Sequence, residues 1–226
     1  MEVTRITRTL DMVMQLRIVH ISDTHGHAIR GVPYGDILIH SGDGTNRGTL
    51  SETARLNSWL GDLPHPYKLY IPGNHDFLFQ LDPVLGRSTL GSCTVLIEEE
   101  IEIEGIRIYG TPYQPRFNNW AFNCFPEELT SKYACIPTGL DVLVTHCPPY
   151  GILDRCPAGR VGSRELRSRL LELGDDGPKY HLFGHVHESY GMGTRGPTTR
   201  YSNASICTGD YQPINTPLTW EIDNGY

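Results

Sequence analysis

No apolar run in this 226-residue chain approaches the roughly 20 residues that a membrane-crossing helix needs. The first residues also lack the charged stretch and apolar core of a secretory signal. Six cysteines are scattered without a single C-x-x-C pair. With no signal, they are expected as reduced thiols of a cytoplasmic protein rather than a disulfide frame. Basic residues are scarce, and 19 Lys and Arg against 26 Asp and Glu leave a net charge of −7. That balance argues against a nucleic-acid backbone as the main partner, because such binding needs clustered cations. Neither a G-x-x-x-x-G-K-[ST] loop nor a G-x-S-x-G elbow occurs, so P-loop nucleotide hydrolases and serine hydrolases lose support. No repeat, low-complexity tract or linker divides the chain. One domain over residues 1–226 is expected, with residues 1–13 as a short leader that is either flexible or edge-pairing.

What is present is a set of metal-ligand side chains placed just after strand-like segments. Arg17 to Ile21, Asp36 to Ile39, Lys68 to Ile71, Asp141 to Val144 and His181 to Phe183 read as buried strands. They are followed by Asp23-Thr24-His25, Gly42-Asp43, Gly73-Asn74-His75-Asp76, Thr145-His146 and Gly184-His185-Val186-His187. Singly, each is more often structural: Gly73-Asn74 would be a turn and Gly184-His185 a bend. Jointly they put hard oxygen and imidazole ligands along one sheet edge, where α/β loops converge.

The chemistry follows from the donor types. If Asp23-Thr24-His25 stays extended, both side chains point the same way and grip one ion. The two oxygens of Asp43 can bridge two cations roughly 3.5–4 Å apart. Asn74 adds a neutral carbonyl oxygen, and His185 and His187 repeat the alternate spacing. Two divalent ions set against Asp23 and Asp43 leave local positive charge, which favours a phosphate ester and acidifies a bridging water. His75 can then protonate a leaving oxygen, with Asp76 available to orient its imidazole. His20, His40, His65 and His181 read as packing or supporting residues, and His27 is either a solvated loop residue or part of the site.

Between these blocks the pattern changes. Thr94 to Ile97, Glu100 to Ile103 and Ile106 to Tyr109 suggest antiparallel pairing around Gly105. Ser51 is the expected cap of a helix running to about Leu60, Pro126 to Tyr133 reads as a short helix, and Ser163 to Leu173 carries Leu166, Leu170 and Leu173 on one face. Tyr201 to Ile206 and Leu218 to Ile222 read as closing strands.

The five blocks together resemble those of the calcineurin-like metallophosphoesterases, over about Arg17 to Ile222. Gly110-Thr-Pro-Tyr-Gln-Pro115, Trp120-Ala-Phe122, Cys147-Pro-Pro149, Gly159-Arg-Val-Gly162 and Asn203-Ala-Ser205 are similar to a narrower group. That group is the metallophosphoesterase-domain-containing proteins related to class III cyclic-nucleotide phosphodiesterases. The resemblance implies a four-layer αββα sandwich of two mixed β-sheets flanked by helices, with a binuclear metal site at the strand C-terminal edge. It implies one ion held by Asp23, His25, Asp43 and His187, and a second by Asp43, Asn74, His146 and His185. His75 would be the proton donor or a phosphate contact. Mixed N and O ligation suits Mn, Fe, Zn, Co or Ni.

The implied activity is hydrolysis of small phosphodiesters, 2′,3′- and 3′,5′-cyclic nucleotides among them, by direct attack of a metal-bridging hydroxide. Alternatives are a phosphomonoesterase and a nucleotide-binding regulatory or scaffold protein with little turnover. The substrate groove is expected to involve Asn46 and the irregular, aromatic-rich stretch from Tyr113 to Phe125, Phe117 and Asn118 first. Trp120 and Phe122 either join its wall or bury beneath it.

Overall fold

A computed structural model describes residues 4–6, 14–194 and 199–223 of the chain. Strands β1 (Thr4–Ile6), β2 (Gln15–Ile21) and β3 (Ile37–His40) are followed by helix α1 (Leu50–Gly61) and β4 (Tyr67–Tyr70). Two short helices that the sequence pattern did not reveal, α2 (Phe77–Leu81) and α3 (Pro83–Thr89), precede β5 (Thr94–Val95). The middle holds β6 (Glu99–Ile103), β7 (Ile106–Thr111), β8 (Gln114–Pro115), β9 (Asn123–Cys124), α4 (Pro126–Ala134) and β10 (Val142–Thr145). The chain closes through β11 (Arg155–Cys156), β12 (Gly159–Arg160), α5 (Arg164–Leu173), β13 (Tyr180–Phe183), β14 (Gly191–Thr194), β15 (Arg200–Asn203) and β16 (Leu218–Asp223).

Seven strands form one mixed sheet in the order β1-β6-β7-β10-β13-β15-β14, and five form a second, β16-β2-β3-β4-β5. Alternation along the strands stacks these sheets. Ile18, Ile37, Ile39, Leu69 and Ile71 of the smaller sheet meet Ile101, Ile108, Val142, Val144 and Leu182 of the larger one in a shared core. The intervening residues face outward: Val19, Leu38 and Tyr70 pack with Leu56 and Leu60 of α1. Tyr109, Leu143 and Phe183 pack with Leu129, Leu166 and Leu170 of α4 and α5. The order helix, sheet, sheet, helix is therefore the expected αββα sandwich. It follows from strands buried on both faces.

Local chemistry sets the ends. Thr49, not Ser51, caps α1: its hydroxyl accepts from Glu52 N, and the Glu52 carboxylate accepts from Thr49 N at 3.0 Å. This reciprocal pair satisfies two orphan donors and starts the helix one residue before Ser51. Ser163 caps α5 as expected, accepting from Leu166 N at 3.1 Å. Only β6 and β7 pair antiparallel around Gly105, whose φ is +83°. Thr94–Val95 instead extends the smaller sheet parallel to β4, because the intervening helices carry the chain back across it. β1 lies at the edge of the larger sheet beside β6. That is the edge-pairing form of the leader; the rest of residues 1–13 lies outside the described residues. No described helix is long and apolar enough to cross a membrane.

Candidate metal centre

The carboxyl ends of β2, β3, β4, β10 and β13 deliver the five sequence blocks to one place, because these strands run parallel within their sheets. The sheets are tied together at this edge. Ser22 bridges Ser205, and His20 Nδ1 lies 2.7 Å from Ser202 Oγ, linking β2 to β15.

Asp23 and His25 do not remain extended. Their φ angles are +51° and +45°, and those of Asp43 and His185 are +55° and +70°. Left-handed backbone costs a non-glycine residue roughly 1–3 kcal/mol and persists only where the surroundings impose it. Here Asp23 N and His25 N donate to Gly42 O and Asp43 O at 2.8 and 2.9 Å, continuing the parallel ladder past the strands. His40 supports the next turn: its Nδ1 accepts from Gly42 N at 3.2 Å, so Nε2 carries the proton toward Thr24 Oγ1.

Side chains then converge. Asp23, His25 and His187 offer ligand atoms within 4.8 Å of one another, as do Asp43, His146 and His185, and a third trio of His25, Asp43 and His75 joins these two. Asn74 Oδ1 lies 3.0 Å from His146 Nε2, and Asp43 Oδ2 lies 3.4 Å from the same nitrogen. The geometry thus brings together every residue of the expected ligand set. Glycine makes the convergence possible at Gly73 and Gly184, where a Cβ would strike Asp43 Oδ1 and Asp23 Oδ2.

Cations fit this arrangement. His146 Nδ1 donates to Ser41 O at 2.8 Å and His187 Nδ1 to Thr208 O at 2.9 Å. Each ring therefore turns Nε2 toward the carboxylates, the tautomer that carbonyl partners impose on metal-binding histidines. Asp23 Oδ1 and His25 Nδ1 are buried without a hydrogen-bond partner among the described residues. Burial pushes the His146 and His187 pKa values down, but the nearby Asp43 and Asp23 carboxylates outweigh it and bring both to about 9. Protons held between anions in this way are those a divalent cation displaces.

His75 occupies the rim, with Nε2 3.9 Å from Asp43 Oδ2 and its ring 4.0 Å from that of Trp120. Asp76 does not orient it. Both Asp76 oxygens point away and accept from Asp43 N, Gly73 N, Thr45 N and the hydroxyls of Tyr70 and Thr45. Asp76 thereby clamps the turn that carries Asp43. The carbonyl of Asn46 holds His75 instead, accepting from Nδ1 at 2.8 Å. His20, His40, His65 and His181 are buried in supporting hydrogen bonds, and His27 is exposed.

A cleft of about 660 Å³ opens over Asp43, Asn74, His75, His185 and His187. Phe117, Asn118 and Trp120 line it, whereas Phe122 is buried below. Asn46 lies instead on a neighbouring cleft behind His25. Its side chain is drawn there by a 2.9 Å hydrogen bond to His25 O. Sequence reasoning missed Tyr211, whose ring sits 4.7 Å from His25 and 5.5 Å from His187. It also gave no role to Ser205, whose hydroxyl donates to Asp23 Oδ2 at 2.9 Å. Tyr211 carries no local signal; Ser205 could have been found only through its resemblance block.

Residues 16–189 match the family model for calcineurin-like phosphoesterases. The chain is 40% identical over 234 residues to metallophosphoesterase domain-containing protein 1 of Homo sapiens, covering 91% of this chain and 71% of that protein. A UPF0046 protein of Caenorhabditis elegans is 35% identical over 240 residues, covering 92% of this chain and 60% of its own length. A crystal structure of TT1561 of Thermus thermophilus shares the fold at TM-score 0.62 and 11% identity, covering 94% of this chain and 100% of that one.

Proposed function

The chain belongs to the calcineurin-like phosphoesterases, and from that premise we propose that it hydrolyses small phosphodiesters, cyclic nucleotides among them. The family is one of metal-dependent phosphoesterases with a binuclear divalent site. In this reading Asp23, His25, Asp43 and His187 hold one cation, and Asp43, Asn74, His146 and His185 hold the other. Bound there, the cations supply Lewis acidity to the phosphoryl group and lower the pKa of water. The protein does the rest. The Ser41 and Thr208 carbonyls hold the imidazoles in register. His75, fixed at Nδ1 by Asn46, has Nε2 left to hold or release a proton toward a leaving oxygen.

One observation carries the choice of diester. The cleft above the ligands is walled by Phe117, Trp120 and Tyr211, and apart from the ligand residues and His75 its charged side chains are Arg116 and Glu188, one of each sign. Such walls suit a monoanionic ester with a flat organic substituent. They add no net positive charge for a dianionic monoester. A metal-reconstituted preparation assayed on cyclic nucleotides, aryl phosphodiesters and phosphomonoesters tests this directly. Diesters are expected to show kcat/KM about tenfold or more above monoesters, a preference of about 1.4 kcal/mol. Faster turnover of the monoesters would replace the reading with a phosphomonoesterase. Nucleotide binding without turnover of any ester would favour the scaffold alternative.

A further inference from the structure

A second cleft, of about 480 Å³, lies on the other side of the ligand His25 and is lined by His27, Asn46, Arg55, Leu56, Trp59 and Tyr211, among others. Tyr211 lines both clefts. Its ring packs edge-on against His25 at 4.7 Å and lies 6.4 Å from that of His75, so Tyr211, His25 and His75 form a partition. The partition is held in an unfavourable conformation. Tyr211 has φ +58°, and its N donates to Thr208 O at 2.8 Å, the same carbonyl that orients His187. Left-handed backbone at a bulky residue marks a position its surroundings impose.

The far cleft has its own recognition groups. Trp59 is half-buried, packed on one side against the core beneath α1, and presents the remainder to the cleft. Arg55 is exposed on the rim and makes no hydrogen bond or ion pair among the described residues. Glu52 also borders the cleft, but its carboxylate is engaged by Arg47 N and by Thr49. An aromatic face beside an unengaged guanidinium suits a planar, electron-rich group.

Resting on the diesterase reading above, we propose that this second cleft binds the second ester substituent of an acyclic phosphodiester. A planar aromatic or nucleoside group would lie against Trp59, with Tyr211 dividing the two substituents. A phosphodiester joins two organic groups at one phosphorus, and the partition stands at the ligand cluster with one cleft on each side. A cyclic nucleotide carries both ester oxygens on one sugar and fills one cleft only. The site is therefore built to prefer acyclic diesters with two flat substituents.

The test is the ratio of kcat/KM for a dinucleoside monophosphate to that for a cyclic nucleotide, on metal-loaded protein. Trp59→Leu keeps apolar packing against the core but removes the aromatic face. It should lower the ratio about tenfold, within the loss expected for one stacked base. Trp59→Tyr should restore most of it. Tyr211→Gly, which relieves the backbone strain and removes the divider, should also lower the ratio. An unchanged ratio in both Trp59→Leu and Tyr211→Gly, with the diesters still hydrolysed, would overturn this inference and leave the diesterase reading intact. Wild-type protein that hydrolyses no diester would overturn both. Thermal unfolding of each variant separates a change in selectivity from a loss of fold.

Discussion

Asp43 carries more of the site than any other residue. Its Oδ1 accepts from His75 N at 2.8 Å, its Oδ2 faces His146, and its peptide NH is held by Asp76. Asp43→Asn keeps the shape and the Oδ1 acceptor but removes the charge set between the two trios. At least one cation should be lost, and activity should fall by more than the roughly 10–100-fold typical of losing an outer partner. Metal analysis beside a turnover assay checks this, and two retained ions with normal turnover would refute the bridging role. His75 makes a different prediction, because it sits at the rim. His75→Ala should leave metal content intact and slow turnover by about 10²–10⁴-fold. The deficit should shrink when the leaving group is nitrophenolate, which hardly needs a proton. Equal deficits for good and poor leaving groups would make His75 a phosphate-positioning group instead.

The segment between β7 and α4 is an element of its own kind. Its two short strands, β8 and β9, pair parallel, and Gln114 N donates to Phe122 O at 3.1 Å across the loop. Asn123 Nδ2 donates to the carbonyls of Phe117 and Asn118 at 2.9 and 3.3 Å, which props the tip over the ligands. Phe117 is 40% exposed there and lies 5.4 Å from the His185 ring. Phe117→Ala should therefore raise KM for nucleotides several-fold, about what partial loss of a stacking surface produces. It should spare a small aryl phosphodiester and leave unfolding unchanged, since the side chain supports no core. Steady-state kinetics on both substrates decides the matter. An equal response from the two would make the loop a scaffold.

Across the whole molecule, the buried histidines set an acid limit. His181 Nε2 lies 2.9 Å from Thr145 Oγ1, whose own proton goes to Cys147 O, so Nε2 must donate and Nδ1 is left bare and buried. Burial alone lowers the His181 pKa from 6.5 to about 3. The unfolded chain then binds a proton that the folded one refuses. The His181 contribution to stability should be full above pH 6.5 and be lost as pH drops toward about 3, approaching 1.4 kcal/mol per pH unit for this single group. Urea unfolding of metal-free protein across that range measures the slope. His181→Gln should reduce it by up to that single-group share, because His20 and His40 are lowered to about 3 by burial in the same way, and an unchanged slope would show that other groups dominate.

The ligand blocks were legible in the residues themselves for a physical reason, whereas the four-layer order came from the family resemblance. Strands buried on both faces need runs of buried, mostly apolar residues, such as Ile18 to Ile21 and Val142 to Val144, and the ligand side chains follow where those runs end. The helix of Ser163 to Leu173 was legible in the same way, from one leucine stripe and one cap. Other features depend on contacts between residues far apart in the chain. That Asp76 serves the Asp43 turn rather than His75 depends on donors 31 to 33 residues away meeting its two oxygens. The left-handed turns at Asp23 and His25 arise because the loop after β3 supplies their acceptors. Thr94–Val95 joins the smaller sheet because two helices return the chain there, which no local alternation records. Tyr211 reaches the ligands only once the β15 end is tied to β2 through Ser22 and Ser205. Burial and capping are local properties and leave a periodic trace in sequence. Which loops then face one another is settled by sheet pairing and by the few polar groups that must find partners inside.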